Sequence, residues 1–363
     1  MQNRIITAFF CLLLAVSVLA GALLPDRYYS AREKRNLEQR PQFTAADFLS
    51  GNFGDEWEKY LSDQVALRDD WVTLKTYLEL AVGKRESGGV YICKDQYLMD
   101  KFSAYSAKTA RANAQTLARL QEKLAAEGIP MQTVLAPAAA QVLSDKLPRY
   151  APVADYEEIL QTLRCAGVDT EDIHPALTDR DGEKIYYRTD HHWTSLGAYY
   201  AYCAWRGVEP SAADWTQEVL CGNFRGTTWN KVPLPSVGAE EITAWYKHAD
   251  RHVSYNDGAY ETDSIYERKY LEGADQYGVF LNSNQAQTVI QGSGKGGKLL
   301  LIKDSYGNTF AQFPVEDYAE VHMLDLRFFR GDVAQYAKDN GITEALALYG
   351  AQGFCSNAIT AQS

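Results

Sequence analysis

Arg188-Thr189-Asp190-His191-His192-Trp193-Thr194 gathers one carboxylate and two imidazoles into three consecutive residues, a concentration found nowhere else in the chain. A Ser-His-Asp relay needs an imidazole whose Nδ1–H is fixed by a carboxylate while Nε2 faces a hydroxyl. Asp190 stands two residues before His192, so on an extended backbone the two share a face and His191 turns to the other, as a structural residue. The hydroxyl is best supplied by Ser305, which ends the run Lys298-Leu299-Leu300-Leu301-Ile302-Lys303 and precedes Tyr306-Gly307-Asn308. A free hydroxyl is a poor nucleophile at neutral pH, and His192 would have to take its proton as the new bond forms. Alone, the Asp304-Ser305 pair reads equally as a turn or a helix cap.

These segments carry a resemblance. Asp190-His191-His192-Trp193-Thr194, followed downstream by Lys303-Asp304-Ser305-Tyr306-Gly307-Asn308, resembles the bacterial DHHW family, which is similar to the extracytoplasmic alginate O-acetylation proteins with their SGNH-hydrolase-like fold. The resemblance runs from the amino terminus to about Gly350. It implies Asp190 as orienter, His192 as base and Ser305 as nucleophile, in an order permuted relative to ordinary SGNH esterases, where the serine comes first. Asn282-Ser283-Asn284 is similar to the Gly-x-Asn block that supplies an amide donor in SGNH enzymes, although Asn282 stands where glycine is expected. Asn284 is therefore a candidate oxyanion donor beside the backbone N–H of Ser305. Arg327, in Asp325-Leu326-Arg327, either binds an acyl carbonyl or sugar hydroxyl or forms an ion pair with Asp325 or Asp304.

Metal and cofactor chemistry are not indicated. Adjacent side chains of Asp190-His191-His192 would diverge on a strand, and His248-Ala249-Asp250-Arg251-His252 lacks the glutamate of H-E-x-x-H. Gly292-Ser293-Gly294-Lys295-Gly296-Gly297 precedes a strand and has no Ser or Thr after its lysine, so it reads as a turn and not a phosphate loop.

The elements that must position these groups follow from the apolar pattern. Phe43 to Val82 shows helical spacing and predicts two or three amphipathic helices packed on the main domain, with most of their aromatic residues in its core. Gly88–Ile92 and Gln96–Met99 predict a hairpin. Ser106–Glu127 and Tyr156–Cys165 predict helices, and Met131–Ala136 and Val168–Ile173 strands. Lys184–Thr189 predicts a strand that delivers Asp190, with Thr194 or Ser195 capping a helix through Trp205. Tyr277–Leu281, with Gln287–Gln291 as its return, and then Lys298–Ile302, Val321–Leu326 and Glu344–Leu348 supply further strands, with crossovers at Phe310–Tyr318 and Phe328–Asn340. The sum is an α/β, SGNH-hydrolase-like, mostly parallel sheet flanked by helices, with functional groups beyond the carboxyl ends of its strands. The division expected is an anchor at 1–24, a linker and amphipathic helices at 25–87, and a catalytic domain at 88–355 with a loop-rich insertion at about 209–275.

A chain of 363 residues suits one main domain with appendages, and its net charge of −11 argues against a nucleic-acid partner. Ile5–Leu24 carries no charge and follows Arg4, which reads as a membrane signal anchor, with Ala20-Gly21-Ala22 offering an alternative cleavage site. The catalytic part would then lie outside the cytoplasm. Ser30 to Leu37 resembles the Glu-x-Arg-x-Leu segment carried by family members. Six cysteines at irregular spacing indicate neither a disulfide scaffold nor a zinc ribbon, and one or two bridges are open. The function implied is serine-dependent O-acetyl transfer to a polysaccharide acceptor, with a membrane-bound partner as a possible acyl donor. Acetyl-ester hydrolysis, and non-catalytic polysaccharide binding through aromatic residues of the insertion, are the alternatives.

Overall fold

Leu299, Leu300, Leu301 and Ile302 leave no polar face, and a run of this kind is stable as a strand only when both sides of its sheet are covered. The computed structural model describes residues 2–30, 35–180 and 182–359. Its backbone forms two units, Met1–Lys84 with Asn230–Leu234 and Arg85–Trp229 with Pro235–Ser363.

The smaller unit holds helices α1 (Gln2–Leu23), α2 (Ala45–Ser50), α3 (Asn52–Gln64) and α4 (Arg68–Ala81) and the short antiparallel pair β1 (Tyr29–Ser30) and β2 (Arg35–Asn36). The run expected to anchor the chain forms α1, and among the described residues no helix is long and apolar enough to cross a membrane. Residues 31–34, which include the glutamate of the Glu-x-Arg-x-Leu segment, lie outside the described residues. In this unit Tyr60 is buried, and Phe48, Trp71 and Leu78 are exposed. The helical spacing was read correctly, but a spacing says which side chains share a face and not what covers it.

The larger unit opens with β3 (Glu86–Ser87), β4 (Val90–Ile92) and β5 (Leu98–Asp100), a small antiparallel sheet. Helix α5 (Ala107–Ala126) starts at Ser106, whose hydroxyl accepts from Thr109 N–H. Strand β6 (Met131–Ala136) follows, and then α6 (Tyr156–Cys165), capped by the Asp155 carboxylate, and β7 (Thr170–Glu171). Helix α7 (Ser195–Arg206) begins at Thr194, whose Oγ1 accepts from Gly197 N–H, and stops at left-handed Gly207. The ribbon β8 (Thr216–Phe224) and β9 (Glu240–Tyr246) comes next, then β10 (Val253–Tyr255), β11 (Tyr260–Thr262), β12 (Gln287–Gln291) and β13 (Gly296–Lys303). The short helix α8 (Tyr306–Phe310), β14 (Tyr318–Leu324), α9 (Val333–Asp339), β15 (Glu344–Gly350) and α10 (Ala351–Ser356) complete it.

Eight strands form one sheet in the order β11-β10-β12-β14-β13-β15-β6-β7. The block from β14 to β7 is parallel, and β12, β10 and β11 extend one edge antiparallel. Successive residues of the central strands enter opposite cores. Leu299 and Leu301 pack with Trp193, Ala198 and Phe310, whereas Leu300 and Ile302 pack with Leu117, Leu160 and Phe354. The mostly parallel, helix-covered α/β sheet is thus present.

Several local expectations fail. Lys184–Thr189 is not a strand; Tyr186 bridges Trp193 and the residues between them form a bend. Tyr277–Leu281 lies largely in a short 3₁₀ turn, Gln276–Val279, because Leu281, Asn282 and Ser283 all take left-handed φ of 54°, 55° and 63° and reverse the chain. Gln287–Gln291 consequently pairs with β14 and β10 and is not a return hairpin. The insertion is less irregular than its composition indicates: it holds β8 and β9, and β10 and β11 join the main sheet. Trp215, Trp245, Tyr255 and Tyr266 from that region are buried in the core. All six cysteines are free thiols.

Glu316 fastens the Gly292–Gly297 turn to the segment before β10 by accepting from Ser293 and His248 and pairing with Arg251. Burial pushes its carboxyl up, but those three partners outweigh burial and hold it at about 2, below the ordinary 4.5. A depressed carboxylate contributes stability above the unfolded-state pKa that is lost as pH falls through the folded one. Wild-type protein should therefore be more stable than Glu316→Gln at neutral pH. Thermal melts should show that gap closing as pH falls from 4.5 towards about 2.

Candidate active site

The carboxylate of Asp190 is buried and every direction around it is used. Oδ1 accepts from His192 N–H at 3.0 Å and from His192 Nδ1–H at 2.6 Å. Oδ2 accepts from Thr227 N–H at 2.7 Å and from the Thr227 hydroxyl at 3.0 Å. Burial raises the Asp190 carboxyl, but the adjoining His191 and His192 imidazoles and these hydrogen bonds overcome it and hold the group well below the usual carboxylate range. Asp190 is thus an anion through the range in which an imidazole titrates.

An Nδ1–H directed at a carboxylate leaves Nε2 of a neutral imidazole as acceptor. His192 Nε2 lies 2.7 Å from Ser305 Oγ. The structure therefore brings Asp190, His192 and Ser305 together as one connected set. Ser305 follows β13 and opens α8 at the carboxyl end of the central strand. Its neighbour Asp304 fixes the turn by accepting from Tyr306 N–H at 3.0 Å and Gly350 N–H at 2.8 Å. Gly307 is required beneath it, since a Cβ there would stand 2.5 Å from Cβ of Lys303. The bend carrying Asp190 and the turn carrying Ser305 are tied directly: Tyr306 Oη donates to His191 O at 2.6 Å, and Trp193 Nε1–H to Tyr306 O at 3.3 Å.

His191 does not diverge from the site. On a bend, neighbouring side chains need not alternate, and the His191 and His192 ring centroids are 3.8 Å apart. His191 Nδ1 lies 2.6 Å from Thr227 Oγ1. Because that hydroxyl gives its proton to Asp190, it accepts the Nδ1–H of His191, and the second histidine is joined to the carboxylate through one threonine. The donor atoms of Asp190, His191 and His192 approach one another within 4.8 Å, close enough for a metal ion. The structure departs here from the divergence expected on a strand. The same atoms are, however, engaged with Thr227, Ser305 and one another, so holding a cation would mean breaking the set just described.

Asn284 stands beyond the left-handed turn, with Oδ1 3.3 Å from both Lys303 Nζ and Asn308 Nδ2. Lys303 is fully buried, also gives a hydrogen bond to Asn308 Oδ1 at 2.7 Å, and faces Asp325 at 3.6 Å. Burial lowers its ammonium to about 8, against the opposing pull of Asp325. With Oδ1 accepting, the Asn284 amide nitrogen is the end left to donate elsewhere. Arg327 forms a forked pair with Asp325, through Nε at 2.8 Å and Nη2 at 2.5 Å. Of the two ion pairs open to it, Asp325 is the partner.

Thr227, Gly226, Tyr277 and Glu240 were not identified from sequence. Glu240 accepts from Arg188 N–H, Thr189 N–H and the Thr189 hydroxyl, holding the bend from its far side. Tyr277 lies flat against the His192 ring. None carries a local signal beyond the Gly226-Thr227 dipeptide, because each reaches the site from a distant element. A Cβ on Gly226 would fall 2.2 Å from Cβ of Asp190, whereas one on Gly222 meets nothing within 4 Å. Gly226→Ala should therefore destabilise the protein by about 1–3 kcal/mol, as overpacking does. Gly222→Ala should not, and chemical denaturation of the two variants measures the difference.

Comparison with known proteins gives relatives of the chain and of its fold. Residues 92–206 match the SGNH hydrolase-like domain of acetyltransferase AlgX, and residues 167–324 match the DHHW protein family. The chain is 26% identical over 174 residues to the probable alginate O-acetylase AlgJ of Pseudomonas aeruginosa, covering 45% of this chain and 44% of that one. It is 24% identical over 198 residues to the probable alginate O-acetylase AlgJ of Azotobacter vinelandii, covering 51% and 50%. The chain spans about half the length of these curated relatives. A DHHW family protein from Eubacterium siraeum shares its fold, with a TM-score of 0.65 at 22% identity over 75% of this chain and 94% of that one. PatB1 of Bacillus cereus, solved with a sulfonyl adduct, aligns with a TM-score of 0.61 at 18% identity over 76% and 97%. The chain thus carries the two segments on which resemblance to the DHHW proteins and to the SGNH hydrolase-like acetyltransferase domains rests, and it has the fold of the former.

Proposed function

We propose that this protein is an extracytoplasmic serine-dependent O-acetyltransferase that modifies a cell-surface or exported polysaccharide. The observation that carries the reading is His192, with Nδ1 2.6 Å from the Asp190 carboxylate and Nε2 2.7 Å from the Ser305 hydroxyl. The names of the curated relatives, probable alginate O-acetylases, support acetyl transfer to a polysaccharide. In this reading Ser305 Oγ attacks the acetyl carbonyl carbon while its proton passes to His192 Nε2. The Ser305 N–H and the Asn284 amide receive the oxyanion. Collapse breaks the bond to the leaving group, which takes the proton from His192 and leaves an acetyl-serine. A sugar hydroxyl then gives its proton to His192, attacks that ester, and departs acetylated as Ser305 regains its hydrogen. Asp190 keeps the imidazole in the useful tautomer and stabilises its cation.

Water in place of the sugar hydroxyl would make the same machinery an acetylesterase. Non-catalytic sugar binding through the insertion is less well supported, since Trp215, Trp245, Tyr255 and Tyr266 are buried. Arg327, exposed beside the site, is the candidate for contacting acyl or sugar oxygen if it exchanges Asp325 for substrate. Membrane attachment and placement outside the cytoplasm belong to the same proposal and rest on the uncharged run Ile5–Leu24, and a membrane-bound acyl donor goes with the acetyl transfer that the relatives' names support.

Ser305→Ala should lower release of p-nitrophenol from its acetate by at least about a thousandfold, as loss of a triad nucleophile does, while leaving the circular dichroism spectrum unchanged. Unaltered turnover removes Ser305 as nucleophile. Mass spectrometry of glycans incubated with wild type and an acetyl donor separates the outcomes, acetyl gained for transfer and acetyl lost for hydrolysis. Protease added to intact spheroplasts should digest the protein; protection would place it inside the cell and overturn the proposed location.

A further inference from the structure

The face of the His192 imidazole is engaged as closely as its edge. The Tyr277 ring lies parallel to it, with centroids 3.9 Å apart and an interplanar angle of 5°. His191 approaches to 3.8 Å. At such separations two rings cannot share one face of an imidazole, so His192 is held between them.

Tyr277 is itself pinned. Its hydroxyl lies 2.5 Å from Thr309 Oγ1 and 3.4 Å from Ser305 O, the backbone carbonyl of the proposed nucleophile. Tyr187 and Phe280 meet its ring edge to face at 6.4 and 5.3 Å, and the side chain is buried. A ring so fixed determines the plane in which the imidazole can sit, and that plane holds both nitrogens through which it meets Asp190 and Ser305. An aromatic face also carries negative potential and attracts a cation above it. His192 would become such a cation each time it takes the serine proton.

From these contacts we propose that Tyr277 is a positioning residue: its ring face fixes the plane of the His192 imidazole and stabilises the imidazolium formed during proton transfer. The proposal rests on reading Ser305 and His192 as the reacting pair. Other polar and titratable groups also bear on His192: Asp190 and Ser305 at its nitrogens, His191 across its other face, and Tyr306 with ring centroids 5.1 Å away. Asp304 and Asp275 add negative charge around Tyr277. Asp190 favours the same cation, so the contribution of Tyr277 must be read as a difference between variants that leave Asp190 and His191 intact.

The test is an NMR titration of the His192 ring in the full chain, with the signal assigned by its absence from His192→Gln. It is run on wild type, Tyr277→Phe, Tyr277→Leu and a series placing mono-, di- and trifluorinated phenylalanine at position 277. Tyr277→Phe keeps the face and should titrate within about 0.3 unit of wild type, whereas Tyr277→Leu should fall by about 0.5–1 unit, the size of a cation–π contact expressed as a pKa. Each added fluorine withdraws charge from the face and should lower the value stepwise. The acid limb of kcat/KM should follow the same order. The fluorinated rings retain shape and packing, so the test survives if the leucine variant does not fold. A His192 titration unchanged along the fluorine series would overturn the proposal. Equal loss in Tyr277→Phe and Tyr277→Leu would also overturn it by assigning the effect to the hydroxyl. Retained turnover in Ser305→Ala would instead sink the nucleophile assignment, a result the titration neither needs nor mimics.

Discussion

A carboxylate removed from water must have its oxygens met by donors, or it destabilises the fold that buries it. Asp190 meets this condition through a local bend and one distant threonine, and much of the surrounding structure can be understood as providing those donors. The bend supplies His192 N–H and Nδ1–H, and Thr227 supplies its amide and hydroxyl. Gly226 leaves the room that the Asp190 side chain occupies. Glu240 holds the preceding residues from the opposite side, so a second buried carboxylate maintains the bend that satisfies the first. The imidazole orientation is thus a consequence of charge compensation as much as of packing.

The part of this that was legible in the sequence was legible for physical reasons that differ from element to element. Met131–Ala136, Lys298–Ile302 and Glu344–Leu348 announced themselves because strands buried on both faces have no polar side to confuse the pattern. The spacing of Asp190 and His192 gave the correct pairing from an incorrect premise. Strand alternation was expected, but an Asp side chain accepting from the N–H two residues on closes a turn, and this brings the groups together and leaves His191 beside them. Thr227 and Tyr277 were hidden, since one lies 37 residues beyond Asp190 and the other sits on a turn that apolar patterning presented as a strand. Tertiary structure chose those partners, and no local rule names them.

That turn is costly in itself. Three successive non-glycine residues in the left-handed region, Leu281, Asn282 and Ser283, each oppose the preference of an L-amino acid. They are stabilised by contacts from several directions, including Tyr270 Oη to Asn282 Oδ1 and Ser283 N–H to Gly278 O. The turn carries Asn284 to the buried Lys303 and Asn308. Asn282 takes a backbone conformation that glycine adopts freely and that asparagine tolerates better than most residues.

The order of strands in the sheet has a consequence for how the molecule is made. Strand β15 alone joins β6 and β7 to the block that contains β13, yet in the chain it follows every other strand of that sheet. Until it inserts, the half-sheet built from the early chain and the half bearing the serine have no shared hydrogen bonds within the sheet. Such dependence on pairing between remote stretches slows folding and exposes open strand edges meanwhile. Asp190 and His192 precede Ser305 by more than a hundred residues, and the turn that carries the serine is completed only when this strand arrives and Gly350 N–H meets Asp304.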